Sequence, residues 1–475
     1  MEQWVKEWLK EQRDQDVKCL EVKMQGKSHY VYHSTTYWDK ALKKPRKTSK
    51  YLGKLDPDKG LIKSGGRHRI HPFDLRNITE YGNSMLLHAM LGDLKPLLKA
   101  GFPDCWAEIC AIAMVRVTGN VPLKRIKDAW EKFYNAENIN PHLNPKNLSR
   151  VMREVGVNRV GQDVIFNELA DLSKQLVYDL TSVFSRAMNI SQAEKGYNKD
   201  KIQVPQINLA LLCSVDTGLP TMIRSLPGSV KDIKTLYHSL DELDLDLGGK
   251  ILVLDRGFFS DDVVEFLDGK NISYILPTKR NSRFYNTRIH LNGHFYYHER
   301  LIRCGKRECD NFFLYLFEDQ ELMLEERKTL YKKLDEKRID KKELTARMKK
   351  AGKILILSDM DVEGHEIYEL YKKRETVEKM FDTYKTVLNA DKIYLQDDES
   401  VFGHVFISFL SLYIHCKLEQ LLRKAELNRK LTPIDLLFKY GKVYHVDLGG
   451  NSMISEVPKK VWDLEERLGL NIFPK

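Results

Sequence analysis

"KILVLDRGFFSDDVVEFLDGKNISYILP", Lys250–Pro277, settles the fold class. Ile251–Leu254 is apolar without interruption, as in a strand buried on both faces. Ser260 followed by Asp261 and Asp262 is an N-cap with acids in the first turn, so "SDDVVEFL" opens a helix. "NISYILP" (Asn271–Pro277) is a second strand. Strand, helix, strand over so short a distance is a crossover joining parallel neighbours.

Upstream lie more strands. "QLVYDL" (Gln175–Leu180) and "INLALLCSV" (Ile207–Val215) are apolar runs, and the turn "GLP" (Gly218–Pro220) leads into "TMIRSL". Lys231–Leu240 has the spacing of an amphipathic helix. The order is three strands, helix, strand, helix, strand: an α/β layer that begins antiparallel and continues parallel. "KILILSD" (Lys353–Asp359) is a further strand.

Outside this core the character changes. We expect a basic, β-containing DNA-binding region over 1–83, with strand-like "SHYVYHSTTYW" and a lysine-rich stretch after it. Lys43, Lys44, Arg46 and Lys47 are candidate phosphate contacts there. Residues 84–172 read as short helices, either a DNA-binding region or a plain bundle. The catalytic α/β part would run over 173–278 and 351–430. An insertion interrupts it at 279–350, basic and aromatic first, then charged and helix-favouring. Residues 431–475 read as a small helical cap.

The chain has 475 residues, too many for one small core, with a net charge of +10 that favours anionic partners. Its charged N-terminus lacks the apolar run of a secretory signal, and "VFISFLSLYI" (Val405–Ile414) is too short to span a bilayer. Seven scattered cysteines suit a reducing compartment, so a cytoplasmic protein that joins the nucleoid when bound to DNA is expected. Cys304 and Cys309 follow His294 and His298, but their spacing is wider than structural zinc sites use, which favours free thiols. No phosphate-cradling glycine motif is present, so no nucleotide cofactor is expected.

Asp179 and Asp255 stand at the ends of apolar runs, where a carboxylate needs a partner: a metal ion or an arginine such as Arg256. The third acid comes from "YKKRETVEKMFDTYK", Tyr371–Lys385. On a regular helix, Tyr371, Arg374, Glu378 and Lys385 fall within a wedge of roughly 60° at the rim of the stripe Val377, Phe381, Tyr384, Leu388. A carboxylate flanked by a phenol, a guanidinium and an ammonium suits phosphate handling. In-line attack on a phosphodiester calls for two divalent cations, which Asp179, Asp255 and Glu378 would hold; Mg²⁺ suits such oxygen ligands. Asp359 and Glu363 are the reserve candidates for the third acid.

These residues carry a family resemblance. Tyr371, Arg374, Glu378 and Lys385 form an intact Y-(2)-R-(3)-E-(6)-K signature, and "YDLTS", "VLDRGF" and "GLPTMIRSLPGSVKD" match the blocks around and between the two aspartates. The chain resembles the DDE transposases of bacterial insertion sequences. That resemblance implies an α/β fold with a ribonuclease-H-like mixed-sheet catalytic domain and a β-rich plus helical insertion. It implies Asp179, Asp255 and Glu378 as metal-binding catalytic acids, with Mg²⁺ replaceable by Mn²⁺. It implies double-stranded DNA as partner, both terminal inverted repeats and target, and a homodimer acting on two ends. Tyr371, Arg374, Lys385, Arg256, Arg280 and Arg283 are the candidate DNA contacts around that site. Relatives stack an insertion tryptophan on a flipped base; this insertion has none, and Phe284, Tyr285, Phe295, Tyr296 or Tyr297 would stand in. The rivals are a nuclease of the same fold without strand transfer, and a catalytically silent DNA-binding derivative.

Overall fold

The computed structural model describes residues 2–26, 28–39, 43–63, 75–119, 121–185, 187, 189–196, 204–230, 236–237, 240, 247–391, 393, 395–449 and 451–474. The chain forms two compact units, 1–75 and 76–475, dividing at 75/76 where the sequence suggested 83/84.

The first unit is a helix, Gln3–Asp14, and an antiparallel sheet of β1 (Leu20–Gln25), β2 (Ser28–Asp39), β3 (Lys44–Asp56) and β4 (Gly60–Lys63), in that order. Trp4, Val5, Trp8 and Leu9 recur at helical spacing and cover Val22, Val31 and Leu55 on one sheet face. The Trp4 ring meets His29 edge-on at 5.1 Å.

In the second unit, β5 (Asn77–Glu80) precedes a run of helices between Tyr81 and Asp171. Then come β6 (Gln175–Phe184), β7 (Gln206–Ser214), β8 (Pro220–Pro227), β9 (Ile251–Val253) and β10 (Ser273–Pro277). They lie in the order β8-β7-β6-β9-β10, with β6, β7 and β8 antiparallel and β6, β9 and β10 parallel. This is the ribonuclease-H-like arrangement. The crossover helix Asp261–Gly269 is capped by Ser260, whose hydroxyl accepts from Val263 N. The helix expected at Lys231–Leu240 lies largely outside the described residues.

The insertion strands lengthen this sheet. β11 (Gly293–Tyr297), β12 (Arg300–Glu308) and β13 (Phe313–Asp319) form an antiparallel meander, and β13 pairs with β14 (Lys353–Ser358). β14 pairs on its other edge with β10. A central strand satisfies hydrogen bonds on both edges, so β14 welds the meander onto the main sheet in one nine-stranded layer. Helices Gln320–Asp335 and Lys341–Met348 follow.

The helices between Tyr81 and Asp171 share one hydrophobic core with the sheet. Helix Asp398–Lys424 runs through that core. It is long and apolar enough to cross a membrane, but 89% of its most apolar window is buried in protein, so it is a core helix. Beyond it the expected helical cap also contains strands: β15 (Tyr444–Asp447) pairs with β5 and with β16 (Ser452–Ile454).

Arg116, on helix Trp106–Thr118, donates to Ser408 Oγ (2.8 Å) and His404 Nδ1 (3.0 Å). His404 Nε2 donates to Ala390 O (3.0 Å). Burial, then the Arg116 charge, pushes His404 down to about 3 and keeps the ring neutral. This relay ties the segment after the signature helix to the core.

Candidate active site

Sheet register brings the two aspartates together. β6 and β9 are parallel, with Val177 opposite Val253. Asp179 and Asp255 each lie two residues beyond that pair, so strand alternation aims them to the same side. The carboxyl ends of parallel strands are where α/β sheets place their ligands. Asp179 Oδ1 accepts from Leu180 N at 2.8 Å. Asp255 leads into a 3-10 turn, Arg256–Phe258, and its side chain caps nothing there.

Glu378 stands on helix Glu375–Asp382, which packs across β6 and β7 through Val377, Met380 and Phe381. Met380 Sδ accepts from Cys213 Sγ at 3.0 Å. The stretch is not one regular helix, as the wedge assumed. A helix ends at Lys372, and Arg374 N donates to Tyr371 O and Val377 N to Arg374 O, both three-residue bonds. A π-helical turn, Thr383–Val387, follows Asp382. Tight bonds before and a wide turn after change the angle per residue. Arg374 still meets both Tyr371 and Glu378, while Lys385 sits half-buried on the π turn.

Arg374 joins the acids. Its Nη1 lies 3.2 Å from Asp255 Oδ1 and 3.1 Å from Glu378 Oε1. Burial works against the guanidinium charge, but Asp255, Tyr371, Glu378 and Asp179 together push its pKa up. Asp255 and Glu378 thus share one cation, beside the strand that carries Asp179. The sequence pointed to Arg374 as a phosphate clamp; its bridging of two acids had no local signal. The Tyr371 ring lies 5.9 Å from the guanidinium carbon. Burial raises the phenol, Arg374 opposes that, Asp255 reinforces it and Arg256 opposes it. The Arg256 Nε is buried without a hydrogen-bond partner.

The other candidates divide. Arg280 donates to both oxygens of Glu326 (2.6 and 2.8 Å), which also accepts from Gly352 N. That pair ties the insertion helix to the sheet. Arg283 is exposed, 3.5 Å from Asp261 and over the Phe284 ring. Lys43, Lys44, Arg46 and Lys47 are exposed in the first unit. Asp359 accepts from Tyr274 N on β10 (2.9 Å). Of the insertion aromatics, Phe295 and Tyr297 pack on Tyr368, Phe284 packs on Phe259 and Phe312, and Tyr285 is half-buried. Tyr296 alone of the five is open, at 71% exposure.

No group of three His, Cys, Asp or Glu residues sits close enough to hold an ion among the described residues. Cys304 and Cys309 are free thiols. The donor chemistry nevertheless suits a hard divalent cation: three carboxylates face one region, and Arg374 already stands between two of them as a counter-charge.

The profile of the transposase DDE domain matches residues 173–414. No curated protein matches the chain in sequence. Among solved structures, a cryo-EM piggyBac transposase synaptic complex with hairpin DNA aligns with 78% of this chain and 76% of that one. The identity is 12% and the TM-score 0.38, a likeness too distant to place any residue. The profile match spans just over half of the 475 residues and contains Asp179, Asp255 and Glu378. The chain belongs to the transposase DDE domain family.

Proposed function

We propose that this protein is a DNA transposase that binds the inverted repeats at an element's ends, cleaves there, and joins the freed 3′-hydroxyls to target DNA. The observation that carries the reading is the shared ion pair of Asp255 and Glu378 with Arg374, next to Asp179 on the paired strand. Divalent cations, Mg²⁺ or Mn²⁺, would neutralise charge on the attacking and leaving oxygens of the phosphodiester. Asp179 and Asp255 project from a rigid sheet and Glu378 from a helix locked onto it, so the acids are pre-positioned. Arg374 moves its hydrogen bonds from the carboxylates to a DNA phosphate. Arg256, with a free buried donor, and Tyr371 stand ready for neighbouring phosphate oxygens. Two protomers would hold two ends.

The test is joining. Duplexes carrying the repeats that flank the coding sequence, pre-cut to expose a 3′-hydroxyl, are incubated with a plasmid and Mg²⁺. Covalent joining to the plasmid is the expected result. Ends that stay unjoined while intact DNA is still cut would mean a nuclease, and binding without either would mean a silent derivative.

Arg374 supplies a second check. If its guanidinium competes with cations for Asp255 and Glu378, Arg374→Ala tightens Mn²⁺ binding to the DNA-free protein by roughly tenfold, as expected for a partly screened charge at this distance. Electron paramagnetic resonance titration reads this without any reaction. Unchanged or weaker Mn²⁺ binding would refute the competition.

A further inference from the structure

The first unit contains a feature that its own packing does not explain. β1 accompanies β2 only from Ser28 to His33, and β4 accompanies β3 only from Gly53 onward. Beyond those points, among the described residues, Thr35–Asp39 and Lys44–Thr48 pair only with each other: Thr35 with Thr48, Thr36 with Lys47, Tyr37 with Arg46, Trp38 with Pro45, Asp39 with Lys44. A two-stranded ribbon projects from the sheet with no core of its own, a marginal structure in water. It nevertheless exposes large aromatics: Tyr37 is 50% and Trp38 61% exposed. The two rings lie on opposite faces, so each side of the ribbon offers one aromatic to a ligand.

Charge names the partner. Lys43, Lys44, Arg46 and Lys47 cluster at the ribbon against Asp39. Pairing and alternation sort the side chains. One face bears Thr36, Trp38 and Lys47, the other Tyr37, Lys44 and Arg46. The first face continues at its root into Ser34 and Ser49, whose hydroxyls lie 2.8 Å apart. Ser34 donates to Glu21 (2.6 Å), and Lys47 reaches the same carboxylate at 2.7 Å. That network holds Lys47 in a defined direction, as a specific contact needs and a loose electrostatic arm does not. Further along this face the Tyr32 and Tyr51 rings lie 5.3 Å apart. Helix Gln3–Asp14 covers the opposite face of the sheet at the ribbon's root, and the Lys47 face there is open.

Shape agrees. Two strands about 4.8 Å apart, with side chains, match the ~12 Å major groove of duplex DNA, which admits a two-stranded ribbon. Five rungs at ~3.3 Å span about five base pairs.

We propose that the ribbon of Thr35–Asp39 and Lys44–Thr48 reads sequence in the DNA major groove, with Thr36, Trp38 and Lys47 toward the base edges and Lys43, Lys44 and Arg46 on phosphates. This rests on the transposase reading only in taking duplex DNA as substrate, and it makes the ribbon the element that tells transposon ends from other DNA.

The test uses the full-length protein. A preferred site is selected from duplexes with a randomised centre. Binding of that site and of a scrambled duplex is then measured against salt concentration. Thr36→Ala, Trp38→Ala and Lys47→Ala are each expected to lower the preference for the selected duplex on the order of tenfold. Lys43→Ala with Lys44→Ala weakens both duplexes alike and reduces the salt slope by about 2. Replacing guanine by 7-deazaguanine in the selected site, which alters only the major-groove edge, weakens binding; the minor-groove ligand netropsin leaves it unchanged. The proposal is overturned if the three face variants weaken both duplexes equally, or if netropsin competes and 7-deazaguanine has no effect. Circular dichroism confirms that each variant is folded. Joining of pre-cut ends is scored separately: wild type that selects a site through the ribbon without joining ends refutes the transposase reading alone, and wild type that joins ends while the face variants keep full preference refutes the ribbon alone.

Discussion

Glu378→Gln is expected to leave DNA-end binding intact and to lower cleavage and joining by on the order of 10³-fold or more. Altering a partner that only orients a metal ligand typically costs 10–100-fold, and replacing a ligand itself removes more. The amide retains the shape of the carboxylate and can still accept a hydrogen bond from Arg374 Nη1, now 3.1 Å from Glu378 Oε1. What disappears is the negative charge. The Glu378 side chain is 47% exposed, so its pairing with Arg374 contributes about 1 kcal/mol or less to stability. Loss of activity in a folded, DNA-binding variant would therefore be chemical in origin. Gel shifts on end duplexes and strand-cleavage assays with Mg²⁺ separate the two. A variant that cuts at the wild-type rate would remove Glu378 from the site. Glu363 would then be the acid to examine, since Asp359 is engaged by Tyr274 N.

Gly403→Ala should destabilise the fold by about 3 kcal/mol or more. Helix Pro145–Val157 crosses helix Asp398–Lys424 at backbone contact, and the crossing is built on two glycines. A Cβ on Gly403 would lie 1.9 Å from Met152 O, and one on Gly156 would lie 1.8 Å from Glu399 O. Neither neighbour is a side chain that can rotate away. The helices would have to separate, opening gaps along the whole contact. Gly269→Ala is the control: a Cβ there meets nothing within 4 Å, and the expected change is under about 1 kcal/mol. Urea denaturation of the two variants checks this. Similar midpoints for both would show that the crossing yields more easily than the geometry implies.

The legible parts were local. Apolar runs marked β6, β7, β9, β10 and β14 because a buried strand must be apolar where it meets both layers. Ser260 marked a helix start because its hydroxyl satisfies a backbone donor. Asp179 and Asp255 stood out as acids ending apolar runs. The helix break at Lys373–Arg374 and the π turn at Thr383–Val387 were invisible, since side-chain periodicity does not report which carbonyl each N–H chooses. Arg280 looked like its basic neighbours until Glu326, far along the chain, proved to be its partner.

The sequence by itself determined the α/β class, the signature spacing and the basic character of the N-terminal ribbon, and it singled out the three candidate acids, because caps, alternation and helical spacing act over a few residues. Only the tertiary structure decided that the insertion meander joins the main sheet, that Tyr296 is the open one of the five candidate aromatics, and that Arg374 bridges Asp255 and Glu378. Those outcomes depend on strand register and on contacts between residues distant in the chain, such as Arg374 and Asp255, where one shifted hydrogen bond would send the same side chains to different partners.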